Sequence, residues 1–250
     1  FKEGGALFFE KEMVGAIISF GGIYLAFKIF LKKLCKTSIK TFIHGAGRKA
    51  DYKAMLVPSI LFVIGLVISE LITAGTISFN TLPLYQLIFN FFFVLLLLWI
   101  QTNTEEFLFR GLFLRAPFGN EVPKPLKAMG FAVLSSVLFM VLHMSNPEML
   151  SQTSTIEMVA CAANYFFAGF FMFLANLFVG GMEGGIVLHY LNNLYCFVII
   201  SQAVTVVPTP TFLVKSGNAT GVQSLLSVLL IYALPLIYLY RQYKKKEATA

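Results

Sequence analysis

Long apolar runs alternate with short polar connections along this chain, and each run is too long and too uniformly apolar to be one face of a soluble helix. A bilayer crossing needs about 20 mostly apolar residues. Seven runs fit: Met13–Leu31, Met55–Ala74, Leu84 to about Leu114, Ala128–Met144, Met158–Val179, Ile186–Val204 and Val222–Tyr240. In lipid every backbone polar group must find a partner inside the protein, which a helix achieves within one segment. The pattern therefore predicts an all-α polytopic membrane bundle of about seven transmembrane helices. A helix before Phe1 would make eight in a fuller chain. We expect one transmembrane domain over residues 1–250, with a four-helix core over 84–200.

Composition agrees. Only 12% of the 250 residues are charged, against about 25% in soluble domains, and the mean hydropathy is +0.79. The net charge of +7 is concentrated in a few connections, so it speaks to topology and not to nucleic acid. Lys32, Lys33, Lys36, Lys40, Arg48, Lys49 and Lys53 crowd the first connection, Arg115, Lys124 and Lys127 the third, and Arg241 with Lys244, Lys245 and Lys246 the C-terminus. The second and fourth connections carry no Lys or Arg, and the sixth carries only Lys215. Basic loops stay in the cytoplasm, so the odd connections and the C-terminus are expected there. In the first connection Leu34, Ile39, Phe42 and Ile43 interleave with lysines, as in an interfacial helix; a solvated basic loop fits as well. Cys35, Cys161 and Cys196 lie far apart without metal or disulfide spacing and read as reduced packing residues. His44, in that first connection, receives no chemistry.

Against this background one stretch stands out. Thr104-Glu105-Glu106-Phe107-Leu108-Phe109-Arg110-Gly111 puts two carboxylates and a guanidinium inside the third apolar run. Ionisable groups within a membrane helix are costly and point to function. Glu106 and Arg110 stand four apart on one helical face, acid first, the favourable order for a pair. Glu105 lies about 100° round the helix with no such partner. So Glu106 reads as a clamped structural carboxylate and Glu105 as the free one; the bland reading is a helix end with snorkelling charges. His143 closes the fourth run. His189 and Asn193 share a face of the sixth, with Asn192 off it. From the run boundaries, Glu105 sits roughly 15 Å, His143 roughly 20 Å and His189 roughly 8 Å from the cytoplasmic edge at the helical rise, so one pocket, from the cytoplasmic half to the middle of the bilayer, can hold all of them.

Two chemistries use such a set. A carboxylate and a histidine can activate water while a second histidine and an asparagine bond an oxyanion. Alternatively two histidines and a carboxylate can hold zinc. There is no His-Glu-x-x-His, no Gly-x-Ser-x-Gly and no pair of membrane aspartates. We expect no metal: neither histidine shares a helix with the other or with a carboxylate, and Asn193 is a poor zinc ligand.

Glu-Glu-x-x-x-Arg (Glu105, Glu106, Arg110), Phe-x-x-x-His (Phe139, His143) and His-x-x-x-Asn (His189, Asn193), in that order and each in a membrane span, resemble the three motifs of the CAAX protease and bacteriocin-processing (CPBP, or Abi) family. The resemblance covers about Leu84 to Ile200. It implies an intramembrane endopeptidase. In it Glu105 and His143 would activate water, Glu106 and Arg110 would brace the helix, and His189 and Asn193 would form the oxyanion hole. It implies a membrane-bound or lipid-proximal peptide substrate, cleaved near the cytoplasmic side, and no nucleic acid. It does not decide between prenylated and other substrates. Family members include immunity proteins, so a non-catalytic scaffold that holds a partner protein is the alternative. A proton relay or small transporter is a third reading, against which no internal repeat is found. The expected location is a cell membrane crossed several times, bacterial by composition.

Overall fold

The computed structural model describes residues 5–49, 51–73, 75–119, 121, 123–201, 209–217 and 219–249. Helices dominate: α1 (Gly5–Lys33), α2 (Ile39–His44), α3 (Leu56–Ile72), α4 (Leu84–Glu106), α5 (Leu112–Phe118), α6 (Pro125–His143), α7 (Pro147–Leu150), α8 (Thr155–Val179), α9 (Glu183–Leu194) and α10 (Gly221–Thr249). Among the described residues six helical stretches are long and apolar enough to cross a membrane, α4 and α5 counting as one. At most a third of each apolar window is buried within the protein. The rest, such as Leu71, Leu126 and Ile156, faces outward, as lipid-facing helices require.

The sixth apolar run departs from expectation. Its helix, α9, continues through a π-helical turn at Tyr195–Ile199 and then becomes a strand at Ile200. The helical stretch Glu183–Ile199 rises roughly 25 Å at 1.5 Å per residue, a little short of a hydrocarbon core of about 30 Å. The ends expected at Ala74 and Val204 lie outside the described residues. A second π-helical turn, Phe107–Gly111, joins α4 to α5.

α8 packs on α6, α9 and α10; α10 also packs on α3, and α4 lies between α1 and α9. Glycines permit the closest approaches. A Cβ at Gly65 of α3 would sit 2.8 Å from the Ile231 backbone of α10, and one at Gly184 of α9 would sit 2.5 Å from the Ala175 carbonyl of α8. Backbone cannot yield as a side-chain tip can. Gly184→Ala is therefore expected to separate α8 from α9 and lower stability by about 1–3 kcal/mol, read as an earlier thermal transition in detergent.

The bundle has a basic end and an opposite end. At the basic end the first connection does form a short helix, α2, and its apolar residues dock onto the bundle. Phe42 and Ile43 of α2 are buried with Phe27, Leu31, Phe107 and Met182. Arg115 Nε donates to the Phe42 carbonyl (2.8 Å) and its Nη2 to that of Ile43 (3.1 Å). Arg48 donates to the carbonyls of Gly180 and Val179. His44 is also no bystander: its Nδ1 lies 2.6 Å from Glu183 Oε1, at the start of α9. At the opposite end three short strands, unforeseen in the sequence, form a small sheet. β1 (Ile77–Phe79) pairs antiparallel with β3 (Leu213–Lys215), and β2 (Ile200–Ser201) pairs parallel with β3.

Candidate functional site

Glu105 and Glu106 occupy the last turn of α4, just before the π-helical turn. Such turns recur at functional sites because the widened ring re-aims side chains. Glu106 is fully buried. Its Oε1 lies 3.1 Å from Arg110 Nη1 and 2.9 Å from His189 Nδ1, and its Oε2 lies 3.5 Å from Asn176 Nδ2. Arg110 is equally buried, with its guanidinium carbon 4.2 Å from the centre of the Phe139 ring. None of its guanidinium nitrogens makes an aligned hydrogen bond. Charge attraction and the ring face therefore hold Arg110 more than hydrogen bonding does.

Glu105 differs, as its position on the helix implied. It keeps some exposure, 12% of its side chain, and its Oε2 lies 3.6 Å from His189 Nε2. It does have a partner one turn back, since Gln101 Nε2 donates to its Oε1 at 3.1 Å. His189 thus bridges the two carboxylates, Nδ1 toward Glu106 and Nε2 toward Glu105.

His143 ends α6. Its Nδ1 donates to the Phe139 carbonyl one turn earlier at 2.7 Å, which leaves Nε2 as the basic nitrogen. The ring lies 4.2 Å from the Phe139 ring and 4.7 Å from that of Tyr165. Asn193 accepts from Asn192 Nδ2 at its carbonyl oxygen (3.3 Å), so its own NH2 group can donate elsewhere.

Glu105, His143, His189 and Asn193 all line one cavity of about 570 Å³, within the size range of ligand sites. Asn192 lines it too, although helical spacing put it off the His189–Asn193 face. Glu106 and Arg110 stand behind the wall.

Several participants were missed in the sequence. Asn176 on α8 accepts from the Gly185 backbone N–H (2.5 Å) while reaching Glu106, so it ties α8, α9 and α4 together. A lone Asn in Phe173-Leu-Ala-Asn-Leu-Phe-Val was the available signal. Phe139 sits against His143, His189 and Arg110 at once, which gives that motif position a reason. Further along the cavity Glu70 accepts from Tyr195 Oη and from Lys215 Nζ, the latter at 2.8 Å.

Glu148 on α7 lines the cavity beside Tyr165, and its Oε2 is buried without a hydrogen-bond partner. Burial pushes its carboxyl above the usual carboxylate range, against smaller opposing hydrogen bonds. A carboxyl raised on folding contributes stability below its unfolded value, lost as pH rises through the folded one. Glu148→Gln should therefore melt above wild type at neutral pH and level with it in acid. An equal offset at both pH values would mean that Glu148 does not titrate in this way.

The cavity runs from Glu105 toward the opposite end and not toward the basic end, as its lining by Glu70, Glu148 and Lys215 shows. The expected cleavage near the cytoplasmic side does not match that direction. Among the described residues no three His, Cys, Asp or Glu side chains are grouped to hold a metal.

Comparison with known proteins bears on the same segment. Residues 86–195 match the family model described as type II CAAX prenyl endopeptidase Rce1-like. The uncharacterized protein YyaK of Bacillus subtilis (strain 168) is 27% identical over 200 residues, covering 79% of this chain and 63% of that protein. The chain thus spans less than two thirds of that relative's length. No solved structure matches.

Proposed function

We propose that this chain, whose residues 86–195 match the Rce1-like family model, is an intramembrane endopeptidase that hydrolyses a peptide bond by water activation without a metal. The observation that carries this is the convergence of Glu105, His143, His189 and Asn193 on one cavity inside a bundle of membrane helices.

Each residue has a role suited to its surroundings. Glu105 keeps cavity exposure and is oriented by Gln101, so it is the general base. His143, with Nδ1 held by the Phe139 carbonyl, offers Nε2 to the same water. As the water oxygen attacks the scissile carbonyl carbon, Glu105 takes the proton. The carbonyl electrons move to oxygen, where the Asn193 NH2 group donates a hydrogen bond. Glu106 accepts from His189 Nδ1, which turns Nε2 toward the reacting centre, and in the imidazolium form the Nε2–H bonds the same oxyanion. Donors fixed before the charge develops need no reorganisation. Collapse of the intermediate breaks the C–N bond, and the proton on Glu105 passes to the departing amine. Glu106, Arg110 and Asn176 act by positioning.

The test is purified protein in lipid vesicles with a panel of membrane-anchored peptides, products read by mass spectrometry and metal content measured on the same sample. Cleavage by preparations without stoichiometric metal is expected. Stoichiometric zinc, with activity removed by chelator and restored by zinc alone, would reverse the metal-free part.

A further inference from the structure

Among the described residues the cavity extends toward one end of the bundle. Its walls come from the helix ends farthest from the basic connections: Glu70 near the end of α3, His143 at the end of α6, Tyr165 in the first half of α8 and Gln223 near the start of α10. Lys215, on β3 of the small sheet, lines it as well. Toward the basic end the bundle is sealed. Phe42, Phe107 and Met182 are buried together there. A Cβ at Gly111 would strike the Phe42 ring. Behind the site Glu106, Arg110 and Asn176 are almost wholly inaccessible.

Charge then says which end faces which compartment. The sealed end carries the Lys-rich first and third connections and the basic tail of α10. The connections at the open end hold a single basic residue, Lys215, and its charge is matched by Glu70 at 2.8 Å. Positively charged connections remain in the cytoplasm, so the sealed end is cytoplasmic. We infer that the cavity is loaded from the non-cytoplasmic side, and that its substrate is a peptide segment of an exported protein or of one anchored on the outer leaflet.

The identity of the occupant as a peptide rests on the proposed protease activity; the side from which it enters does not. The cavity lies among helices whose outer surfaces are apolar, so a chain held at the outer membrane surface reaches Glu105 without crossing the bilayer. A cytoplasmic segment would have to pass the Phe42–Phe107–Met182 seal.

Thiol labelling in intact cells separates these routes. Cys35 is exposed in the first connection, on the sealed end, and reports that side once Cys161→Ala and Cys196→Ala are made. Ser227 lines the cavity, and Ser227→Cys in a background also carrying Cys35→Ala, Cys161→Ala and Cys196→Ala reports the cavity. A charged, membrane-impermeant thiol reagent should label Ser227→Cys in intact cells, and Cys35 only after permeabilisation, which also shows that the protein is present and reactive. Labelling of Cys35 in intact cells, or of Ser227→Cys only after permeabilisation or not at all, would overturn the inference. Labelling needs no turnover, so a protein that labels as expected yet cleaves nothing would remove the protease reading and leave the direction of access standing.

Discussion

Glu105→Gln should leave expression, folding and thermal stability close to wild type and lower peptide cleavage by about 10²–10⁴-fold, the usual contribution of a positioned general base. The asymmetry follows from surroundings. Glu105 retains exposure to the cavity, and its protein contacts are one hydrogen bond from Gln101 and a 3.6 Å approach to His189. Gln keeps the shape and can still bond Gln101, but it cannot accept a proton from water. The measurement is a cleavage time course on matched amounts of protein, with the melting curve alongside. Unchanged cleavage would remove Glu105 from the chemistry. If the cellular phenotype persists while cleavage is lost, the protein works by holding a partner and the scaffold reading gains.

Arg110→Ala should instead fail at folding. Glu106 is fully buried and its charge is balanced by Arg110 at 3.1 Å. Removing one member of a buried pair strands the other, at a cost of about 3–5 kcal/mol, a large fraction of ordinary stability. The loss would be compounded by the void over Phe139, where the guanidinium now rests. Little folded protein is expected on size exclusion in detergent. Arg110→Lys should recover only part, because an ammonium cannot spread flat over the ring. Glu106→Gln separates charge from shape: it keeps the size of the side chain and strands Arg110 instead. Wild-type yields of Arg110→Ala with activity alone lost would move Arg110 from support to catalysis.

The seal at the basic end also sets what mutations there should do. Phe42, Met182 and Gly111 do not line the cavity, and changes in them act first on how α2 closes the bundle. His44 and Glu183, paired at 2.6 Å, tie that closure to the start of α9, the helix that carries His189 and Asn193.

What the sequence determined by itself is local or one-dimensional. Apolar runs of bilayer length leave helices as the only way to satisfy the backbone, so the helical membrane bundle was legible. Spacing of four placed Glu106 with Arg110 and His189 with Asn193, because residues one turn apart on a helix must share a face. The uneven distribution of lysines marked one end of the bundle. Helix rotation and packing, which no spacing encodes, were decided only in three dimensions. They turned His189 between two carboxylates from another helix, brought Asn176 to Glu106, put Glu70 against Lys215 and Tyr195, and docked His44 on Glu183. They widened two turns beside the site, ended α9 in a strand, and built a sheet from segments far apart in the chain. The direction of the cavity belongs to the same class. It depends on which helix ends splay and which are plugged by Phe42, Phe107 and Met182, a property of side chains meeting across the bundle and of no single run of residues.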